Sequence, residues 1–308
     1  MTDDPTPVID ALQNAPGFEG VTASEVTLTR QGGLTNLVYL VEGRDQRVIV
    51  RIPGAGTEAY IDRAVEVHNA RAAHAAGVAP EVLWADAGSG VMITRAIEGI
   101  TTMTPEGFGS RKGSAARAGA ALAKLHGSGE TFQFRFELFA MIDDYLKVLS
   151  TKDVTLPEGY HDIVAAAQPV KTLLAETEVP LAPCHCDPLC ENFLDDGDTM
   201  WIVDWEYSGM NDPLWDVGDL SVEAGMDAAQ DAELMRAYFG RAPTEAETGR
   251  MVIYKAMCDL LWTLWGLIQH ADGNTAEDFW AYATGRFDRC KALMNSPEWD
   301  AHLQALRR

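Results

Sequence analysis

The chain has 308 residues, 47% of them hydrophobic, and a formal net charge of -22. That length allows two lobes with separate cores, while the charge argues against nucleic-acid and anionic-membrane partners and repels any polyanion that local cations do not offset. No apolar run approaches the ~20 residues that span a bilayer, the acidic start Met1-Thr2-Asp3-Asp4-Pro5 lacks a signal-peptide core, and five cysteines without framework spacing predict a cytoplasmic, reducing setting.

Alternation predicts a strand over Val21–Arg30, a second over Leu37–Val41 and a third over Val48–Ile52 that stops at Pro53-Gly54. Between the first two lies Gln31-Gly32-Gly33-Leu34-Thr35-Asn36. Glycines there let backbone approach phosphates, and Thr35 and Asn36 supply hydrogen-bond donors. By itself a Gly-Gly between strands is a plain hairpin turn. A helix follows over Ile61–His74, with Ile61, Val65, Ala72 and Ala73 largely on one face, then two strands near Glu81–Ala85 and Val91–Thr94. From there the pattern is helical: Ala115–His126, Phe136–Leu149, Tyr160–Ala175 with a kink or break at Pro169, and Ala228–Phe239.

Between those helices, residues 181–204 read as loops and short strands carrying Cys184-His185-Cys186-Asp187-Pro188-Leu189-Cys190-Glu191-Asn192-Phe193, then Ile202-Val203-Asp204-Trp205-Glu206. This is H-x-D-x-x-x-x-N followed by a hydrophobic strand ending in Asp. Phosphoryl transfer from ATP needs these groups at about this spacing. Asp187 orients the acceptor hydroxyl and takes its proton, while Asn192 and Asp204 hold the magnesium that bridges the phosphates. His185 supports the loop through hydrogen bonds. The thiols and His185 also invite a zinc reading, but C-H-C-x-x-x-C is not a finger or ribbon spacing; small buried thiols are the expectation. Further on, Tyr254–Ala271 reads as a helix with Trp262 and Trp265 on one face. Such a pair is ordinarily core packing. Its functional alternative is a wall of ring faces for a quaternary ammonium, held by cation–π attraction.

The protein-kinase loop reads H-R-D and then D-F-G; Cys186 and Asp204-Trp205-Glu206 depart from both. The chain instead resembles the kinase-like small-molecule phosphotransferases, which include aminoglycoside phosphotransferases and, more closely, the choline/ethanolamine kinases. Gly33-Leu34-Thr35-Asn36 before a strand, Val50-Arg51-Ile52-Pro53-Gly54, Asp204-Trp205-Glu206-Tyr207-Ser208, Asp216-Val217-Gly218-Asp219 with Glu223, Trp262-x-Leu264-Trp265, and Tyr282-Ala283 with Arg286-Phe287 carry that likeness. The resemblance implies an α+β, two-lobed protein-kinase-like fold: a small antiparallel-sheet lobe over 1–97 and a larger helical lobe over 98–308. It implies Gly32, Gly33, Thr35 and Asn36 as nucleotide lid, Arg51 as the phosphate-pairing cation set by Glu66, and adenine against backbone near Thr94 to Ala96. Tyr207, Trp262, Trp265 and Tyr282 would wall a choline pocket with Glu223 as counter-charge. ATP and magnesium are the implied co-substrate and cofactor.

Overall fold

Helix α1 (Thr6–Leu12) opens the chain and buries Val8, Ile9, Ala11 and Leu12; its brevity left no periodic signal in the sequence. Thr22 and Glu25 then close a capping box around one 3-10 turn. Strand β1 is therefore only Thr27–Arg30, shorter than alternation suggests, because a T-x-x-E spacing closed on itself outweighs alternation. Strands β2 (Leu37–Gly43) and β3 (Gln46–Ile52) form a hairpin across Arg44 and Asp45. Both turn residues have positive φ (50° and 57°), and the right-handed twist of paired strands favours such turns. Helix α2 (Arg63–Ala75) is capped by Asp62, whose carboxylate accepts from the Ala64 and Val65 N–H groups. Strands β4 (Val82–Asp86) and β5 (Val91–Arg95) complete an antiparallel sheet ordered β1-β2-β3-β5-β4. The computed structural model describes residues 5–31, 36–54, 61–275 and 277–308, so the expected lid residues Gly32, Gly33 and Thr35 lie outside the described residues.

The rest is mostly helical. Strand β6 (Thr101–Thr102), α3 (Pro105–Ser110), α4 (Ser114–His126), α5 (Leu138–Leu149) and α6 (Tyr160–Glu176) come first. Pro169 stays inside a continuous α6 instead of ending it: Ile163, Ala167, Val170 and Leu173 are buried on one face, and that packing outweighs the one backbone hydrogen bond that proline forgoes. Four short strands follow, β7 (Ala182–Cys184), β8 (Phe193–Asp195), β9 (Met200–Ile202) and β10 (Gly209–Asn211), paired as β6-β8-β9 and β10-β7. Helices α7 (Leu214–Glu223), α8 (Ala228–Phe239), α9 (Glu245–Ala271), α10 (Phe279–Met294) and α11 (Trp299–Leu306) finish the chain.

Helix α9 starts nine residues before the sequence pattern does, at a Thr244–Glu247 capping box. By length and composition it is also apolar enough to cross a membrane, which corrects the expectation that no run approached that length. Its residues are mostly buried inside the protein, against α5, α7, α10 and α11; a central helix covered on all sides is apolar all round.

Two apolar cores result. One joins α1, Phe18 and Val21 to the inward residues Val41, Val48, Val50 and Ile93 of the sheet. The larger fills the helical body and also takes Val67, Ala70 and Ala73 of α2. Helix α2 bridges the two: Val67, Ala70 and Ala73 join the larger core, while the helix packs on β4 and Glu66 pairs with Arg51 of β3.

Candidate active site

Two loops emerge side by side from the short strands. Residues 185–192 leave β7 and enter β8; residues 203–208 leave β9 and enter β10. Cys186 and Asp204 both stand in the left-handed region, each at φ 68°. A non-glycine residue there costs about 1–3 kcal/mol and persists only where its surroundings hold it. For Cys186 the holder is Asp216 of α7, fully buried, which accepts from the N–H groups of His185 (2.7 Å) and Cys186 (2.9 Å). The indole N–H of Trp215 donates to the Cys186 carbonyl at 3.0 Å, and His126 Nε2 lies 3.0 Å from Asp216. Asp187 is thereby turned out of the strand at a fixed angle.

His185 does what the sequence suggests. Its Nε2 lies 2.8 Å from the Val203 carbonyl, which only accepts, so Nε2 carries the proton. Burial holds the imidazole below its usual pKa, hence neutral. The Val203 N–H donates to the Asn192 carbonyl at 2.9 Å, and the two loops are tied. Asn192 Nδ2 donates to the Asp187 carbonyl at 3.1 Å, a bond that does not use its Oδ1.

Burial, then the Glu223 and Asp204 carboxylates, push Asp187 up to about 8. Burial pushes Asp204 up to about 7; Arg51 pulls it down, while Glu206 and Glu66 push it further up. Desolvation of the charged form is the main cause in both. Between the unfolded carboxylate value of about 4 and these folded values, the folded chain holds more protons than the unfolded one. Stability of the magnesium-free protein therefore falls as pH rises through that window. Thermal melts from pH 5 to 8 check this: the wild type is expected to lose stability steadily and Asp187→Asn less steeply, and parallel profiles would contradict the Asp187 shift.

Arg51, on β3, meets Glu66 of α2 in a close ion pair, as predicted. It also reaches Asp204 at 3.2 Å and Glu206 at 3.7 Å. Its Nε is buried without a hydrogen bond among the described residues, a donor left over for an anionic ligand. Carboxylate oxygens of Glu66, Asp204 and Glu206 lie within 4.8 Å of one another. Arg51 and Arg63 occupy Glu66 and Glu206, so Asp204 and Asn192 Oδ1 are the oxygen donors that would suit magnesium. Asn36 is buried with its Oδ1 unpaired among the described residues. Thr94 sits in β5 opposite Ile49. The Ala96 N–H is committed to the Arg47 carbonyl at 3.1 Å, so this residue offers an adenine its carbonyl only.

The four expected pocket aromatics come together as a ladder of edge-to-face rings. Tyr207 meets Trp262 (6.4 Å between centroids), Trp262 meets Trp265 (6.0 Å), and Trp265 meets Tyr282 (5.7 Å). Phe279, which the sequence did not single out, backs Trp265 at 5.4 Å. Trp262 is buried, and its indole N–H has no hydrogen bond among the described residues. Glu223, the expected counter-charge, has a cation of its own. Arg286 of α10 grips it with two bonds, 2.6 and 2.9 Å, and lies over the Tyr282 ring at 4.6 Å. One face of that ring and much of the Glu223 charge are already engaged. One turn before Glu223, Asp219 is buried; Cys258 Sγ lies 3.1 Å from its Oδ1, and its Oδ2 is unpaired among the described residues.

The Cys184, Cys186 and Cys190 thiols are buried. Burial pushes Cys190 up to about 12 and the other two well above the usual thiol value, so they are protonated packing groups and not nucleophiles. Asp216, His126, Glu206, Arg63 and Arg286 received no role from the sequence, because their partners, Glu66 beside Arg63 excepted, are far away along the chain.

The sequence profile of the phosphotransferase enzyme family matches residues 27–248. A choline/ethanolamine kinase family protein from Mesorhizobium loti is 61% identical, with TM-score 0.90 over 98% of both chains. The choline kinase LicA from Streptococcus pneumoniae is 27% identical with TM-score 0.72, over 88% of this chain and 94% of its own. Ethanolamine kinase 2 from Mus musculus is 26% identical over 83% of this chain and 73% of its own. A small antiparallel sheet, a helical body and paired loops carrying Asp187, Asn192 and Asp204 thus stand in a chain whose relatives are kinases of small amino alcohols: it has the kinase-like phosphotransferase fold and belongs to the choline/ethanolamine kinase family.

Proposed function

We propose that the protein is a choline kinase, moving the γ-phosphate of ATP to the hydroxyl of choline to give phosphocholine and ADP. The carrying observation is the continuous ring ladder Tyr207–Trp262–Trp265–Tyr282. A trimethylammonium group donates no hydrogen bond, so ring faces are what recognises it. Glu223, which acts electrostatically on Asp187, ties that wall to the reacting end.

In this reading Asp187 aligns the acceptor hydroxyl and takes its proton as the new O–P bond forms and the bond to the ADP leaving group breaks. Asn192 Oδ1 and Asp204 hold magnesium, which neutralises phosphate charge when bound. Arg51, set by Glu66, releases Asp204 and pairs with phosphate. His185 keeps the two loops in register.

Ethanolamine is the second reading, and a specific feature favours it: the Glu223 and Asp219 carboxylates lie within 4.8 Å of one another, and a primary ammonium can donate to carboxylates. The test is ADP release from magnesium-ATP with choline, ethanolamine or an aminoglycoside as acceptor. Choline is expected to lead ethanolamine by about tenfold or more in kcat/KM, equivalent to about 1.4 kcal/mol. A lead for ethanolamine would hand the site to the second reading, and no turnover with any acceptor would leave a ligand-binding homologue without activity.

A further inference from the structure

We propose that Arg63 is a positioning residue for nucleotide binding: one buried guanidinium on α2 compensates Glu66 and Glu206 together, which frees Arg51 to serve phosphate. The inference rests on the nucleotide half of the function above and is independent of which alcohol is the acceptor.

Arg63 is only 7% exposed. Its Nη1 lies 2.8 Å from Glu66 Oε2 and 3.0 Å from Glu206 Oε2. Arg51 shares both carboxylates and adds Asp204. Three carboxylates are thus divided between two guanidiniums. Glu66 and Glu206 have side chains 1% and 6% exposed, so neither can fall back on water if it loses its cation. A chain with Arg51 alone would have to keep that residue on the carboxylates. With Arg63 fixed beneath them, Arg51 donors can turn outward without leaving a bare buried charge. Gly90 makes room for the arrangement: a Cβ there would lie 2.8 Å from Arg63 Cδ and Nε.

A second tie on the same helix makes the pairing directional. Asn69, fully buried, donates from Nδ2 to the Ser208 carbonyl (2.9 Å) and hydroxyl (3.1 Å), and its Oδ1 accepts from the Gln133 N–H at 3.0 Å. Arg63 and Asn69 therefore pin α2 at Glu206 and Ser208 of the loop that carries Asp204 and Tyr207. The helix that sets Arg51 through Glu66 is the helix that sets the metal loop.

The test is a double-mutant cycle on the full chain, reading the magnesium-ADP dissociation constant by calorimetry. Arg63→Met is expected to weaken binding by about tenfold, the worth of one charged hydrogen-bond pair. Arg63→Lys, which keeps the charge but reaches one carboxylate, should lie between. In an Arg51→Met background, Arg63→Met should add less than about twofold, because its effect runs through Arg51. Equal losses in both backgrounds, or unchanged affinity in Arg63→Met, would overturn the proposal. If Arg63→Met does not fold, the same cycle run with Arg63→Lys decides by the same criterion. A wild type that fails to bind magnesium-ADP would instead strike at the proposed function itself.

Discussion

Asp187→Asn is expected to lower kcat by about 10²- to 10⁴-fold, the usual worth of a positioned general base, while magnesium-ATP affinity stays near that of the wild type. The substitution is nearly isosteric. What holds the loop is elsewhere: Asp216 on the His185 and Cys186 N–H groups, Trp215 on the Cys186 carbonyl, and His185 on Val203. Asn192 bonds the Asp187 backbone carbonyl, not its side chain. The amide therefore stands where the carboxylate stood, but it cannot take the acceptor proton. Steady-state kinetics together with nucleotide calorimetry check this, and substantial turnover by the variant would move the base role to another group.

Trp265→Leu and Trp262→Leu should each raise the choline KM by about 30-fold, from about 2 kcal/mol of desolvated cation–π contact, with the ATP KM little changed. Leucine keeps apolar bulk while removing the ring face, so the effect separates recognition from packing. Trp265 is the cleaner site, being half-buried where Trp262 is buried; losing a large ring from a buried position also weakens the fold. The ratio of choline to ethanolamine kcat/KM should fall in both variants, since only the quaternary group depends wholly on ring faces. A matched rise in both acceptor and ATP KM would reduce the ladder to ordinary core.

The proposed reacting groups were legible because they are local. Asp187, Asn192 and Asp204 lie within 18 residues on two loops bounded by short strands, and their order and spacing survive folding as a unit. Asp216 was legible only as part of a likeness, since nothing in its neighbours says that it receives two backbone N–H groups 30 and 31 residues away. The charge network was hidden for the same reason. The Arg63–Glu206 contact spans 143 residues, Asn69–Ser208 spans 139, and Arg286–Glu223 spans 63. Contacts at such separations leave no periodicity for a sequence reading to find.

Short-range order by itself determined that this chain builds a strand-rich start, a helical remainder and a phosphotransferase loop, because alternation, caps and motif spacing act over a few residues. Tertiary structure decided where the charges go. It placed Arg286 on Glu223, making the expected counter-charge half of an ion pair, and it bound the Ala96 N–H into the sheet. It also set α2 between sheet and helical body, where Arg63 and Asn69 meet the loop that carries Asp204. Burial is the physical reason: a carboxylate or an N–H removed from water must find a partner, and the partner is whichever group the packing brings near.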